Sequence, residues 1–452
     1  MIADKITHHL TPESLANFQD AFASDPRSYL AANAVANQSV HSVALNRQAA
    51  ISTDHTFSHI LPSNRTTSQK RSGRCWMFAG LNLFRGEAKT RLNSDDFEFS
   101  QNYLMFWDKL EKSNYFLESI IQTAQEPVDG RLVSFLLERP IQDGGQWDMF
   151  VNLVRKYGVV PKSVMPETHS SSATPVMNRL ITSKLREFAA RLRQQAAEGV
   201  PEDSLQEAKT AMLGRIYHML AVHLGEPPKS FDWQWQDKDK TFTRSGTLTP
   251  QDFFETFVGL NLDDLVCLIH CPLETRPYGQ SYTIEHLGNV VEGQEVRYLN
   301  VSLNVFKQAA KDMLVDGQPV WFGCDVGKYR ERDKGILDTA LYDYDLVYGD
   351  GFNLSKAERL NHGDSVMTHA MVFTGVDLDD DGQPRKWRVE NSWGEQVGDK
   401  GFFVMTDAWF DEYMYEVLVD KRHVPEQYRS ALTQEPVVLP PWDPMGALAA
   451  DV

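Results

Sequence analysis

Hydrophobic positions divide the chain into stretches of different rhythm. Cys75-Trp76-Met77-Phe78-Ala79-Gly80-Leu81-Asn82-Leu83-Phe84 is an apolar run that continues through Glu87-Ala88-Lys89. That length predicts a buried helix rather than a strand, with Cys75 in its first turn. From about 100 to 260 the pattern is mostly helical, with interruptions at Val160-Pro161 and Met165-Pro166. Residues 176–224 read as two amphipathic helices broken at Gly199-Val200-Pro201, where Glu202 and Asp203 suit the positive first turn of the second. Past Glu226-Pro227-Pro228, β-branched and aromatic residues alternate with polar ones, as at Thr241-Phe242-Thr243 and Val320-Trp321-Phe322. Residues from about 262 to 420 are therefore predicted to be predominantly β.

The two ends carry their own signals. Thr11-Pro12-Glu13-Ser14 reads as a helix start, with Thr11 as cap and Pro12 in the first helical position. Glu435-Pro436-Val437-Val438-Leu439-Pro440-Pro441-Trp442-Asp443-Pro444 is too proline-dense for a helix or a central strand, so it must run extended over a surface. No internal repeat of fixed period is present.

Composition narrows the function classes. The 452 residues are 42% hydrophobic and 24% charged, enough to bury a large core. The net charge of -17 argues against binding to a phosphate backbone, since Lys70-Arg71 and Lys386-Trp387-Arg388 are only short basic stretches. No long uncharged apolar window and no basic-then-apolar leader is found, so a soluble, unexported, cytoplasmic protein is expected. Four cysteines, at 75, 267, 271 and 324, are too few for a disulfide framework in this length and fit a reducing compartment.

Cys75 carries the candidate chemistry. A thiolate, not a thiol, is the nucleophile, and a helix N-terminus together with a neighbouring imidazolium stabilises it. Among the thirteen histidines, His369 has the best context, at the entrance of an apolar strand Met367-Thr368-His369-Ala370-Met371-Val372-Phe373. Downstream, Asn391 stands beside Trp393, which is suited to covering an Asn-His hydrogen bond and keeping water from it. Cys267, Cys271 and Cys324 lie in apolar runs and read as core. Cys267 and Cys271 with His270 have no second Cys/His pair at zinc-like spacing, so no metal and no cofactor are expected. Asp377-Leu378-Asp379-Asp380-Asp381-Gly382 imitates the start of a calcium loop but has Arg388 where the bidentate Glu belongs, which leaves a polar turn between strands. His218 and His223 lack the Glu of a metalloprotease helix and read as surface or interface residues.

Gly73-Arg74-Cys75-Trp76, then Thr368-His369-Ala370, then Asn391-Ser392-Trp393-Gly394 resemble the three active-site motifs of papain-like cysteine peptidases in the same order. Cys75 and His369 are 294 residues apart here, against about 130–150 in the papain pattern, which implies a large insertion within 100–260. The chain is similar over nearly its whole length to the bleomycin hydrolase/aminopeptidase C branch, with Gln69-Lys70-Arg71-Ser72-Gly73-Arg74-Cys75-Trp76, Asp143-Gly144-Gly145-Gln146-Trp147 and Pro441-Trp442-Asp443-Pro444-Met445-Gly446-Ala447-Leu448 as specific points. The resemblance implies an α+β papain-like fold, with a helical left domain, an antiparallel β-barrel right domain, a large helical insertion and an N-terminal arm. The expected units are an arm (1–60), the helical domain with the Cys75 helix (61–175), a helical hairpin used in oligomerisation (176–261), the β-rich domain with His369 and Asn391 (262–425), and a tail lying in the active-site cleft (426–452).

The resemblance also implies roles. Cys75 is the nucleophile, His369 the general acid/base, Asn391 its orienting partner and Gln69 an oxyanion donor. Gly144, Gly145, Trp393 and, at the tail, Val452 become substrate-binding candidates. A ring-shaped homohexamer is implied, acting on peptides with a free N-terminus because the tail carboxylate pairs with the substrate amine. Members of the branch stop close to Ala449, whereas this chain continues Ala450-Asp451-Val452, which either overfills the cleft until trimmed or shifts the carboxylate. An endopeptidase, or a thioester or thiolactone hydrolase, on the same scaffold is the alternative function.

Overall fold

The computed structural model describes residues 8–62 and 64–447. The apolar run after Gly73 forms the helix Cys75–Leu92, buried on nearly all sides. It stops at Asn93, whose left-handed conformation (φ 49°) turns its N–H back onto the carbonyls of Lys89 and Thr90. The helix Gln101–Gln122 follows, capped by Ser100, whose Oγ accepts the Tyr103 N–H at 3.0 Å.

The predicted helical hairpin is present as Pro175–Ala197 and Glu202–Leu224. Met177, Ile181, Leu185, Phe188 and Leu192 form the buried stripe of the first, and Leu205, Met212, Ile216, Leu220 and Leu224 that of the second. Three- and four-residue spacings put each set on one face, and both helices pack against Gln101–Gln122 and each other. A small two-stranded hairpin, Phe231–Gln236 with Phe242–Leu248, and the helix Pro250–Phe257 complete this half.

The β-rich half is one twelve-stranded sheet among the described residues. Its centre runs, in spatial order, Leu265–Ile269, Met414–Asp420, Val320–Cys324, His369–Leu378, Pro384–Glu390 and Phe402–Thr406, each antiparallel to the next. Asp379 closes the turn between the His369 and Pro384 strands by accepting the Asp381 and Gln383 N–H groups, so the calcium-like sequence is a hairpin turn. The sheet is not purely strand, because the helices Leu303–Val315 and Asp407–Tyr413 interrupt the β pattern and cover its back. Cys267, Cys271 and Cys324 are buried in this half as free thiols.

At the ends, Thr11 caps Pro12–Ser24 as expected. That helix and Pro26–Asn37 bury no residue at all. The proline-rich tail does run extended, and Val437–Leu439 adds itself in parallel to the edge strand Gln280–Ile284. The edge position tolerates the neighbouring prolines that a central strand would exclude.

Candidate active site

Three buried anchors fix the chain at Cys75. The Gly73 N–H donates to Asp143 Oδ2 at 2.9 Å, the Arg74 guanidinium forks onto both Glu167 oxygens at 3.0 and 2.8 Å, and the Trp76 indole donates to the Asp143 carbonyl at 2.7 Å. Asp143 also receives Lys109 Nζ and Asn178 Nδ2, each at 2.7 Å. Burial opposes its charge, yet the Lys109 ammonium and these donors hold its carboxyl well below the usual range. Cys75 is thereby set as the first residue of its helix, 1% exposed, with its sulfur toward the sheet.

The sheet supplies the partners. His369 opens its strand, fully buried, and Asn391 follows the end of the adjacent strand. His369 Nε2 lies 3.0 Å from Asn391 Oδ1, and the Trp393 ring covers the imidazole at 5.0 Å between centroids. The N–H of Ala370, the next residue in the strand, donates to Cys75 Sγ at 3.4 Å. His369 Nδ1 is buried and has no hydrogen-bond partner among the described residues.

Burial pushes the Cys75 thiol up to about 12, against the pull of the Ala370 and Trp76 N–H groups. It pushes the His369 imidazole down to about 4, against the Asn391 bond and with help from the Arg330 charge. Two buried groups that each resist ionising alone can be charged together, when one proton passes between neighbours and the opposite charges face each other.

Gln69 is 3% exposed and held at both ends of its amide. Its Oε1 accepts the Ser392 hydroxyl at 2.6 Å, and its Nε2 donates to the Ser72 carbonyl. An amide nitrogen carries two protons, so one remains for a ligand. The Gln69 N–H also donates to the Ser392 carbonyl at 2.8 Å. Ser392 was not singled out by sequence reasoning, although it sits inside the Asn391-Ser392-Trp393 motif.

Neither Gly144 nor Gly145 is among the residues lining the cavities near this site, and the missing side chain at 145 answers to packing: a Cβ there would fall 2.5 Å from the Trp76 ring. The Gly144 carbonyl accepts Lys112 Nζ at 2.6 Å.

Two cavities open beside the segments that lead into His369 and Cys75. One, of about 620 Å³, is walled by tail residues Pro441–Asp443 with Met367 and Thr368 just before His369. The tail is held there by an Arg276–Asp443 ion pair and by Gln146 Nε2 donating to the Ala447 carbonyl at 2.7 Å. Val452 lies outside the described residues. The second cavity, of about 690 Å³, is lined by Gln69–Gly73, Asp143, Arg330, Arg332 and Trp393, with no tail residue among the described residues that line it. Among the described residues, no helix is long and apolar enough to cross a membrane.

The Peptidase C1-like family matches this chain over residues 9–446. Aminopeptidase C of Listeria monocytogenes is 45% identical over 440 residues, covering 97% of this chain and 99% of its own length. Bleomycin hydrolase of Gallus gallus is 46% identical over 452 residues, covering 98% and 99%. The crystal structure of PepW from Lactobacillus rhamnosis HN001 superposes with a TM-score of 0.96 at 48% identity, covering 98% of this chain and 99% of that one.

Proposed function

The chain belongs to the Peptidase C1-like family and is a cysteine-type aminopeptidase, and from that premise we propose that Cys75, His369, Asn391 and Gln69 carry its chemistry. The observation that carries the assignment is His369 pinned at Nε2 by Asn391 while the N–H of the next residue meets the Cys75 sulfur.

The reaction follows from these positions. Cys75 Sγ passes its proton to His369 Nδ1 and attacks the carbonyl carbon of the first peptide bond. As the C–S bond forms, the carbonyl π pair moves onto oxygen, where the remaining Gln69 Nε2 proton and the Cys75 N–H receive it. Collapse breaks the C–N bond, and the leaving amine takes the imidazolium proton. His369 then draws a proton from water, whose oxygen attacks the thioester and releases the N-terminal residue and the sulfur.

The tail accounts for exopeptidase action in this reading. Held by Gln146 at Ala447, it marks the side of the substrate's N-terminus, where in this reading a carboxylate meets the substrate ammonium. Bleomycin-like amides with a free amine fit the same site. A homohexamer is part of the reading, supported by the exposed Leu15, Phe18, Phe22 and Leu30 of the arm, and sedimentation velocity tests it. The buried thiols of Cys267, Cys271 and Cys324 support a reducing, cytoplasmic setting.

A panel of alanine anilide, its N-acetyl form and an internal peptide tests the assignment. N-acetylation is expected to lower kcat/KM by about a hundredfold or more, since it leaves the site's charged partner unpaired. Equal turnover of the acetylated substrate would remove the tail from the mechanism and leave an endopeptidase. Cys75→Ala is expected to fall below about a thousandth of wild-type turnover. Intact mass of active enzyme settles trimming: full-length protein with normal turnover excludes it.

A further inference from the structure

The second cavity has a charge opposite to that of the protein. The chain carries a net charge of -17, yet Lys70, Arg71, Arg139, Arg330 and Arg332 line this cavity, with Asp143 the one carboxylate among its lining residues. Asp143 is already saturated by Lys109, the Gly73 N–H and Asn178. Among the described residues Lys70, Arg71, Arg330 and Arg332 form no ion pair and no side-chain hydrogen bond, and Arg139 has only a 3.9 Å approach to Glu138. Nη1 of Arg330 is moreover buried without a partner.

A short hairpin organises the pair nearest the chemistry. Arg330–Glu331 pairs with Ile336–Leu337, and Arg332 opens the turn that joins them. Both guanidinium groups lie over the Trp393 ring, at 4.8 and 5.5 Å from its centroid, and the His369 ring stands 5.0 Å from the same centroid. Like charges placed together without counter-ions are unfavourable, and flat guanidinium forks match carboxylates.

Described tail residues line the first cavity and not this one, so in the aminopeptidase reading the substrate's N-terminal residue belongs to the tail side and the departing portion to the side of Trp393. Resting on the aminopeptidase reading above, we propose that Arg330 and Arg332, backed by Lys70 and Arg71, form a carboxylate-binding subsite for the leaving portion of the substrate. The favoured substrates are short peptides whose own C-terminal carboxylate reaches this subsite, or peptides with an acidic side chain just after the cleaved bond. A docked carboxylate also offsets the Arg330 charge that opposes imidazolium formation at His369.

The test compares kcat/KM for Ala-Ala with Ala-Ala-amide, which isolates the terminal carboxylate, and for Ala-Asp-amide with Ala-Asn-amide, which isolates the side chain. At low salt at least one carboxylate member is expected to be favoured by about 5- to 30-fold, the range for one or two charge contacts near a surface. The ratio should shrink on raising salt. It should approach one in Arg330→Gln/Arg332→Gln and fall further in Arg332→Glu, a change at an exposed residue that spares the core. Ratios are read within each variant, so a general loss of activity does not imitate the effect. Ratios of one in the wild type, with all four substrates cleaved, would overturn the subsite and leave the aminopeptidase standing. Failure to cleave any of the four, with internal peptides cleaved, would instead overturn the reading it rests on.

Discussion

Asn391 Oδ1 receives two groups, His369 Nε2 at 3.0 Å and the Ser392 N–H at 2.7 Å. The second contact fixes the first. A backbone N–H can only donate, so the atom it meets is the amide oxygen, and an oxygen facing Nε2 requires the proton to be on that nitrogen. In the neutral ring Nδ1 then holds the lone pair and is the atom ready to take a proton from Cys75.

Asn391→Ala removes that constraint. The imidazole gains freedom to take the other tautomer, and the Asn391 bond that favours its protonated form is lost. A fall in kcat/KM of about 10- to 100-fold is expected, by the scale of other partners that orient a functional histidine. The rate of Cys75 alkylation by iodoacetamide should fall as well, and an unchanged rate would show that Asn391 does not act through the thiolate.

Gln69→Ala should lower kcat by about 10²–10³ with KM little changed, because the lost donor serves developing negative charge. Ser392→Ala keeps the donor but frees its other end. A loss of about fivefold is expected, the scale of one neutral hydrogen bond. Equal losses in the two variants would mean that Ser392 does more than hold Gln69.

Gly145→Ala would drive a methyl group into the Trp76 ring. Overpacking of this kind costs about 1–3 kcal/mol, and the displaced ring also carries the bond to Asp143 that holds the Cys75 loop. Both the thermal midpoint and kcat should drop. A lower kcat at an unchanged midpoint would point instead to direct substrate contact at this glycine.

Glu416 predicts an alkaline loss of stability. It is 1% exposed, and burial raises its carboxyl to about 8 from a usual value near 4.5. The folded state therefore holds a proton that the unfolded chain has released between those values, so the unfolded state binds fewer protons and stability falls as pH rises through about 8. Glu390, raised to about 7 chiefly by burial, adds to the same trend. Thermal midpoints should decline from pH 6 to 9, and Glu416→Gln should flatten the slope. An unaltered slope in the variant would exclude Glu416 as the source.

Much of this was legible along the chain because it was local. The first-turn position of Cys75, the Thr11 cap, the break at Gly199-Val200-Pro201 and the Asp379 turn all depend on neighbours within a few residues. What escaped was contact made across long separations. Asp143 bracing Gly73, Ser392 holding Gln69, and Val437–Leu439 joining Gln280–Ile284 have no periodic trace, since each needs the fold to bring distant segments together. The Arg330–Glu331 strand is two residues long, too short to register as alternation.

That hairpin also sits apart from what the fold most needs. Cys75 and His369 are locked into a buried helix and a central strand, and buried Asn391 follows the end of the next strand, where almost any replacement disturbs the core. Arg332 is exposed in the turn of an edge hairpin beyond the sheet's last long strand. If the proposed subsite selects the leaving portion, descendants of this enzyme can change which peptides they favour by substituting exposed Arg332, with the buried Cys75, His369 and Asn391 inherited unaltered.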